Sequence, residues 1–380
     1  MKKTILIVTE RRADYSKFRP ILKEIEKSKK LDYVLIVTGS HLLPEYGDSI
    51  NEIYSDGFKI TKKFHMYSKQ KKDSGIEMSK AFGKCVIELS NIIEKLNPTI
   101  ILAGFDIGSN LAVSIVGAHL NKIVAHVEGG EVTGTIDESI RHATTKFSHL
   151  HFTSNKEASK RLIKMGEKPK FVFTVGNPSL DNIQNLPKIH SKILEDEFGL
   201  DLKKPFMIVI QHTVTTEAEI GGKHISYTIQ AINELKIQAI VILGNADFGS
   251  QKIVNIIKKS NLKYFSTISF LKYINLLKHA TAIIGNSSSG IMEAPFLHVP
   301  TINIGTRQSG RLAPKSVIHV NHNKKAIMKA ILKVLNDKKY LKMAKQQKSQ
   351  YGDGHASKKI INILENINLD TIEIQKKIEY

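Results

Sequence analysis

Short apolar runs alternate with longer amphipathic segments along almost the whole chain. The apolar runs are rich in Ile, Val and Thr and predict strands at Thr4–Thr9, Tyr33–Thr38, Thr99–Ala103, Lys122–Val127, His149–Thr153, Lys170–Val175, Phe206–Gln211, Gln238–Leu243, Ala280–Ile284, Thr301–Ile304 and Ser316–Val320. Apolar residues at i, i+3 and i+4 predict helices, among them Tyr15–Lys27, Glu77–Lys95, Glu157–Lys164 and Gln251–Lys259. Strands that are apolar on both faces and separated by helices indicate parallel sheets covered on both sides.

The alternation pauses at Val175-Gly176-Asn177-Pro178 and again through the polar stretch 187–204. A length of 380 residues suits two domains. We therefore expect two doubly wound, Rossmann-like α/β domains in tandem, over residues 1–177 and 178–355. A C-terminal helix over 356–380 is expected to pack back towards the first domain. Such a pair is expected to enclose an interdomain cleft at the carboxyl ends of its strands, where ligands of this architecture bind.

Composition narrows the class of protein. Hydrophobic residues make up 41% and charged residues 24%, which is typical of a globular chain. No apolar stretch is as long as a membrane helix, which needs about 18 residues. The N-terminal apolar run Ile5–Val8 ends before Glu10, which is too short for a signal peptide. Cys85 is the single cysteine, which excludes disulfide frameworks and multi-cysteine metal sites. These features predict a cytoplasmic protein that does not enter membranes.

The charge is strongly basic, at +20, but does not indicate nucleic-acid binding. Most lysines stand singly on polar faces, and no Trp and few other aromatics interleave with them as a base-stacking platform requires. A lysine-rich surface exposed to water explains the excess of basic over acidic residues. A general attraction for anionic substrates is the alternative explanation. Only seven basic residues are Arg, and five of them lie in segments that carry candidate chemistry: Arg11, Arg12, Arg141, Arg307 and Arg311.

Polar, glycine-rich loops follow the predicted strands, at the positions where a doubly wound fold holds its ligand. They are Gly39–His41, Gly104–Asp106, Glu128–Gly134, Gln211–His212, Gly244–Asn245, Gly285–Gly290 and Gly305–Arg311. None is a G-x-G-x-x-G dinucleotide fingerprint. The loop 285–290 has the glycine spacing of a P-loop without the following Lys-Ser/Thr, which excludes Walker-type ATP chemistry.

Candidate acids and bases cluster after the strand 122–127. His126-Val-Glu-Gly-Gly-Glu131 follows this strand, and Asp137 and Glu138 begin the next helix. Carboxylates at the carboxyl end of a strand, such as Glu128, are the groups that proton abstraction and donation require. Asp137 and Glu138 also suit a first helical turn because of the helix dipole, and His126 also suits a core position.

Two further residues have both a chemical and a structural interpretation. Asp106 follows the strand 99–103 and precedes a helix, so it is either another catalytic carboxylate or a helix cap. His212 ends the strand 206–211, where an imidazole can act as an acid, a base or a phosphate partner, or simply stabilise the loop.

The loop 285–290 has the features of a nucleotide diphosphate site. Small residues between a strand and a helix starting at Ile291 would present backbone N–H groups to an anion, and Ser287 and Ser288 would add hydroxyl donors. Glu293 could accept hydrogen bonds from ribose hydroxyls, and Arg307 would supply positive charge.

Taken together, these segments resemble the hydrolysing UDP-N-acetylglucosamine 2-epimerases of sialic-acid biosynthesis, including the epimerase half of the bifunctional animal epimerase/kinase. The resemblance covers nearly the full length. It rests on Arg12-Ala-Asp-Tyr-Ser-Lys17, Gly39-Ser-His41, His126-Val-Glu-Gly-Gly-Glu131, Gly134-Thr-Ile-Asp137, Ser139-Ile-Arg-His142, Gln211-His212, Gly285-Asn-Ser-Ser288 and Gly305-Thr-Arg-Gln308.

The resemblance implies a GT-B-like fold that converts UDP-GlcNAc and water into ManNAc and UDP without a metal or other cofactor, in a homodimer or homotetramer. Transferred to this sequence, the catalytic positions are Asp106, Glu128, Asp137, Glu138 and His212. The nucleotide-binding positions are Ser287, Ser288, Glu293 and Arg307, and Arg12 and His41 are expected to line the cleft.

The chain departs from the family pattern at two points. The family reads Gly-Asp-Arg where this chain has Gly104-Phe105-Asp106-Ile107, and Thr213 stands where a proline usually follows the histidine. Both departures leave open a different sugar, such as the 2,4-diacetamido-trideoxyhexose used for legionaminic acid, or GDP-GlcNAc. A non-hydrolysing 2-epimerase, a GT-B glycosyltransferase, a silent nucleotide-sugar sensor and a nucleic-acid binder are the competing interpretations, although cleft carboxylates would repel a phosphate backbone.

Overall fold

The computed structural model describes residues 2–44, 49–67, 74–133, 135–184, 186–244 and 248–379. Two predicted loop residues, Gly134 and Asn245, lie outside these ranges. The chain divides into two compact units. Unit 1 comprises Met1–Glu131, Ile136–Gln184 and Tyr351–Tyr380, and unit 2 comprises Val132–Thr135 and Asn185–Gln350.

Unit 1 contains a parallel sheet of seven described strands in the order β3-β2-β1-β4-β5-β6-β7. Its strands are β1 (Lys3–Thr9), β2 (Leu31–Val37), β3 (Ile60–Lys63), β4 (Ile100–Gly104), β5 (Ile123–Val127), β6 (Leu150–Thr153) and β7 (Val172–Thr174). Its helices are α1 (Arg12–Lys27), α2 (Ile50–Ser55), α3 (Gly75–Leu96), α4 (Gly108–His119), α5 (Ile136–Lys146), α6 (Lys156–Lys164), α7 (Pro178–Gln184) and α15 (Ala356–Asn366). The strand order reverses between β1 and β4, which is where doubly wound sheets hold their ligands.

Unit 2 repeats this plan with six described parallel strands in the order β10-β9-β8-β11-β12-β13. The strands are β8 (Phe206–Ile210), β9 (Gln238–Ile242), β10 (Lys263–Phe265), β11 (Ala282–Gly285), β12 (Thr301–Ile304) and β13 (Val317–Val320). The helices are α8 (Ser191–Phe198), α9 (Gly221–Glu234), α10 (Ser250–Lys258), α11 (Phe270–Leu277), α12 (Glu293–Phe296), α13 (Lys324–Asn336) and α14 (Lys338–Gln346). Its order reverses between β8 and β11.

The central strands are continuous apolar runs because both faces of the sheet are buried. In β1, Ile5 and Ile7 belong to one core cluster, whereas Leu6 and Val8 belong to another. Successive side chains of a strand point to opposite faces, so each face of the unit 1 sheet packs against its own layer of helices. The predicted two-domain, doubly wound parallel architecture therefore follows from apolar residues on both strand faces.

The two strands that sequence patterning misses, β3 and β10, are outer strands of their sheets. Most side chains of β3 are exposed, and β10 has no fully buried residue. An outer strand has a neighbour on one side only, and these two have little buried apolar surface, so they lack the apolar run that identifies a central strand.

The C-terminal segment differs from the continuous helix expected over 356–380. Helix α15 ends at Asn366, a short 3₁₀ turn follows at Leu369–Thr371, and residues 372–379 are not helical. The side chain of Asn368 accepts a hydrogen bond from the Asp370 backbone N–H, a local bond that competes with helix propagation. The chain passes into unit 2 after Gln184, beyond the boundary expected at 177, because α7 packs on α1 and α15.

Among the described residues, no helix combines the length and the apolar character needed to cross a bilayer.

Candidate active site

The carboxyl ends of three adjacent unit 1 strands each carry an acidic residue. Glu10 follows β1, Asp106 follows β4 one residue after Phe105, and Glu128 follows β5. Phe105 and Glu128 have left-handed backbone angles, with φ of +70° and +62°. Such angles cost free energy for residues other than glycine and concentrate at functional sites. The structure thus brings Asp106 and Glu128 to the edge of the sheet that the predicted chemistry requires.

Glu128 is completely buried and is held by one cation. Lys17, from α1, donates a 2.8 Å hydrogen bond to its Oε2. The same Lys17 Nζ lies 4.5 Å from the centre of the Phe105 ring, so a cation–π contact also positions it. The second oxygen, Oε1, is buried and has no hydrogen-bond partner among the described residues. Glu128 therefore has one anchored oxygen and one oxygen that accepts no hydrogen bond from the described residues.

Asp106 is held by arginines that come from other elements. Arg141, which is fully buried in α5, donates from Nη2 to Asp106 Oδ2, and Arg11 Nη2 lies 3.7 Å from Oδ1. The family pattern described above has an Arg directly after the Asp, where this chain has Ile107. In this structure Arg141 supplies the guanidinium to Asp106 from a distant segment.

Glu10 is a site residue that the sequence reasoning did not identify. It lies at the carboxyl end of β1, where the strand order reverses, and is largely buried. Its Oε1 accepts from the hydroxyl of Tyr67, and its Oε2 accepts at 2.9 Å from the backbone N–H of Ser109 in the first turn of α4. The feature of the sequence that indicates Glu10 is its position directly after the first predicted strand. Lys17 was also missed, although it lies inside a quoted motif.

Arg12 and His41, expected to line a ligand site, have partners within the protein. Arg12 Nε lies 3.2 Å from Glu52 Oε2. His41 is completely buried, with Nε2 2.9 Å from Thr9 Oγ1 and Nδ1 2.8 Å from Ser49 Oγ. Burial lowers the pKa of His41 to about 3, so its ring is neutral at physiological pH. In this structure both nitrogens of His41 are used within unit 1, and the residue positions the loops rather than presenting a free ring nitrogen.

The acidic residues of α5 lie where the helix-dipole interpretation expects them. Asp137 and Glu138 lie in the first turn, where the helix dipole favours negative charge. Glu138 Oε1 lies 3.7 Å from His142 Nε2 one turn later. His126, in contrast, is a core residue: its Nδ1 lies 3.1 Å from Thr145 Oγ1 and burial lowers its pKa to about 3.

In unit 2, Asn286 connects the predicted binding residues at the reversal of strand order. It follows β11, and its side-chain Oδ1 accepts at 2.6 Å from the backbone N–H of His212, which follows β8. Its Nδ2 donates at 2.9 Å to the His212 carbonyl. The Asn286 carbonyl accepts from Arg307 Nη1 at 3.2 Å and from Gln308 Nε2 at 2.9 Å. Asn286 therefore fixes the His212 loop through its side-chain amide and the Arg307 loop through its backbone carbonyl.

The serine loop adopts a tighter structure than the helix start expected at Ile291. Ser288–Gly290 forms a 3₁₀ turn, and α12 begins only at Glu293. Proline has no backbone N–H, and the first N–H groups of a helix have no partner within it, so Pro295 is accommodated at the third position of α12. Ser287 and Ser288 are half-buried, and Glu293 Oε2 is buried without a hydrogen-bond partner among the described residues.

Comparisons with known proteins all point to the same family. The model of the family described as UDP-N-acetylglucosamine 2-epimerase matches residues 23–365. A UDP-N-acetylglucosamine 2-epimerase of Neisseria meningitidis serogroup B is 37% identical over 87% of this chain and 86% of its own length. A hydrolysing UDP-N,N'-diacetylbacillosamine 2-epimerase of Legionella pneumophila is 32% identical over 99% of both chains. A hydrolysing GDP/UDP-N,N'-diacetylbacillosamine 2-epimerase of Campylobacter jejuni is 35% identical over 98% of this chain and 97% of its own.

Solved structures agree on the fold. The UDP-GlcNAc 2-epimerase of Neisseria meningitidis bound to UDP-GlcNAc has a TM-score of 0.80 at 18% identity, covering 95% of this chain and 99% of that chain. The Methanocaldococcus jannaschii enzyme in complex with UDP-GlcNAc and UDP has a TM-score of 0.77 at 23% identity, with 96% and 99% covered. These likenesses, with the two parallel sheets, confirm the predicted GT-B-like fold.

Proposed function

The chain belongs to the UDP-N-acetylglucosamine 2-epimerase family, and we propose that it is a hydrolysing member that converts UDP-GlcNAc and water into ManNAc and UDP. The observation that carries the hydrolysing class is that two relatives aligned over 98–99% of this chain are named as hydrolysing enzymes. Such an enzyme would serve sialic-acid or legionaminic-acid biosynthesis.

The first step is an elimination. A carboxylate base, Glu128 or Asp106, removes the proton from C2 of the sugar while the bond between C1 and the diphosphate oxygen breaks. UDP leaves with the bonding electrons, and a glycal remains. Glu128 is the better candidate, since its Oε1 is buried without a partner among the described residues while Lys17 fixes Oε2.

The leaving diphosphate gains charge as the bond breaks, and unit 2 offers polar donors for it. The hydroxyls of Ser287 and Ser288 and the guanidinium of Arg307 are suited to bind it, with His212 as a further donor. Asn286 supports this role, because its bonds to His212 and Arg307 hold both loops before substrate arrives. Glu293 suits ribose hydroxyls, because its buried Oε2 has no hydrogen-bond partner in the described part of the chain.

The second step is hydration of the glycal. An acid protonates C2 on the opposite face while water adds at C1, which inverts C2 and gives ManNAc. Asp137 and Glu138, which are half-buried at the start of α5, are the candidates for this proton transfer. The reaction consumes one water and releases one UDP per sugar.

A second candidate substrate is UDP- or GDP-linked 2,4-diacetamido-2,4,6-trideoxyhexose. The relatives named for diacetylbacillosamine align over nearly the whole chain. Phe105, which stands in the Gly-Asp-Arg region of the family, has a buried ring that packs on Phe18 with ring centres 4.9 Å apart, so the residues next to Asp106 depart from the family pattern. This departure leaves a different sugar open.

Incubation with UDP-GlcNAc in D₂O, followed by proton NMR, tests the proposal. We expect free ManNAc with deuterium at C2 and one equivalent of UDP. Formation of UDP-ManNAc without release of UDP would assign the chain to the non-hydrolysing class. Absence of turnover with UDP-GlcNAc, together with turnover of the diacetamido sugar nucleotide, would establish the second candidate. Consumption of donor only when an acceptor is added would indicate a glycosyltransferase.

A further inference from the structure

Three side chains of metal-ligand type converge at the carboxyl edge of the unit 2 sheet. Glu217 lies in a 3₁₀ turn after β8, His224 lies in α9, and His322 follows β13. One ligand atom from each of the three lies within 4.8 Å of the others. Because 98 positions separate His224 from His322 in the sequence (322 − 224), no local motif predicts the group.

His322 is the clearest sign that the group binds something. Both of its ring nitrogens are shielded from solvent, and neither has a hydrogen-bond partner among the described residues. A neutral imidazole has one N–H donor and one lone pair, and both normally find partners when buried. The ring packs tightly against Gly305, whose φ is +76° and where a Cβ atom would lie 2.2 Å from His322 Nε2. The glycine creates the space that the ring occupies.

Glu217 and His224 face this ring with ligand atoms that are also not fully used. Glu217 Oε2 is buried without a hydrogen-bond partner among the described residues, and it lies 3.5 Å from His224 Nδ1. The other oxygen, Oε1, accepts from Thr306 Oγ1 at 3.4 Å, which holds the carboxylate. The rings of His224 and His322 are stacked, with centres 3.6 Å apart and planes 7° from parallel.

We propose that Glu217, His224 and His322 bind one divalent transition-metal ion of the Zn²⁺ type, with water completing the coordination. Two imidazoles and one carboxylate are a donor set that Zn²⁺ accepts, whereas Mg²⁺ and Ca²⁺ require oxygen ligands. Because a metal lies in the plane of the imidazole that binds it, one of the stacked rings turns about its Cβ–Cγ bond on binding.

The ion would join two loops that are far apart in the sequence, one after β8 and the other after β13. Glu217 belongs to the loop that His212 begins, and His322 follows the last strand of the sheet. The strands β11 and β12 separate β8 from β13, and the loop containing Gly305 and Thr306 runs between the ligands. The ion therefore stabilises unit 2, and its binding is measurable without any substrate.

Zinc binding by the full chain, purified without a histidine tag and stripped with a chelator, tests the proposal. Calorimetric titration compares the wild type with His322→Gln, Glu217→Gln and the control His279→Gln, which changes an exposed histidine of the same unit. We expect one Zn²⁺ per chain in the wild type and in the control, and affinity lower by about 100-fold or more in the two site variants. Co²⁺ should give the intense visible absorption of a four-coordinate site, and Zn²⁺ should raise the melting temperature of the wild type.

Two results would overturn the site. One is equal zinc affinity and stoichiometry in the wild type and in folded His322→Gln protein. The other is a Co²⁺ spectrum of hexa-aqua type, or a response to Mg²⁺ as strong as the response to Zn²⁺. If circular dichroism shows that His322→Gln does not fold, His224→Gln and Glu217→Gln provide the same comparison, and unchanged affinity in both would equally exclude the site.

Discussion

Lys17 Nζ donates to Glu128 Oε2 at 2.8 Å, and this bond joins the second turn of α1 to the end of β5. Glu128 is fully buried, and the Lys17 side chain is 14% exposed. Burying a carboxylate away from water costs free energy, and the hydrogen bond from the Lys17 ammonium group offsets part of this cost and orients Glu128. The pair thus provides a base whose position is set before substrate binds.

Glu128→Gln should abolish turnover while leaving UDP affinity within a few-fold, because the amide keeps the shape and loses the basic oxygen. General-base removal typically costs about 10²–10⁴ in rate. Steady-state assays and UDP titration check this expectation. Glu157→Gln, at an exposed carboxylate on α6 paired with Lys160, is the control and should keep full activity. Loss of UDP binding in Glu128→Gln would refute the assigned role.

The Asp106–Arg141 pair predicts a measurable coupling energy. Asp106→Asn leaves the fully buried Arg141 without its carboxylate and should destabilise the protein by about 2–3 kcal/mol, less than for a wholly buried pair because Asp106 is 18% exposed. The double variant Asp106→Asn/Arg141→Met should recover part of this loss. Urea unfolding of the wild type, Asp106→Asn, Arg141→Met and the double variant measures the coupling, and strictly additive effects would contradict it.

The sequence predicts the central strands and the acidic and serine-rich loops that follow them. Both depend on local features: apolar residues on two faces of a strand, and polar residues where it ends. It does not predict the left-handed angles of Phe105 and Glu128 or the contact of Arg141 with Asp106. Those features arise from packing between distant segments, and His41 likewise acquires its buried partners only in the folded chain.

Buried histidines predict that stability falls in mild acid. His41 and His126 have a pKa of about 3 in the folded chain, lowered by burial from 6.5. Below pH 6.5 the unfolded chain binds protons that the folded chain does not, so stability falls as the pH drops from 6.5 towards 3, by up to about 1.4 kcal/mol per pH unit for each histidine. Urea unfolding at several pH values should show a shallower slope for His126→Gln and an unchanged slope for His279→Gln. Equal slopes in wild type and His126→Gln would contradict the prediction.

Replacing either of two buried threonines of unit 2 by valine should change stability in opposite directions. The Thr213 hydroxyl is buried without a partner among the described residues, whereas Thr228 donates at 2.8 Å to Gln211 Oε1. Thr213→Val should therefore stabilise the protein by about 1 kcal/mol, and Thr228→Val should destabilise it by about as much. Thermal and urea unfolding measure both, and destabilisation by Thr213→Val would show that this hydroxyl has a partner in solution.

Lys376 attaches the C-terminal tail, residues 367–379, to the rest of unit 1. Its ammonium group pairs with Glu167, which is 1% exposed, and donates to the backbone carbonyls of Thr145 and Lys146. Although burial raises the pKa of Glu167, the bonds from His151 and Lys376 lower it to about 2. The carboxylate therefore contributes stability above its unfolded pKa of 4.5, and this stability is lost as the pH falls towards 2.

Lys376→Met removes one of these partners and should destabilise the protein by about 1–3 kcal/mol at neutral pH, because Glu167 remains buried and charged. Hydrogen exchange should become faster at the amide of Glu379, which donates to the Gly166 carbonyl at 3.1 Å. Lys377→Met, at the neighbouring residue, is the control and should leave both quantities unchanged. A tail that exchanges equally in the two variants would mean that apolar packing alone attaches it. The difference between wild type and Lys376→Met should also shrink below pH 4, where Glu167 becomes protonated on unfolding.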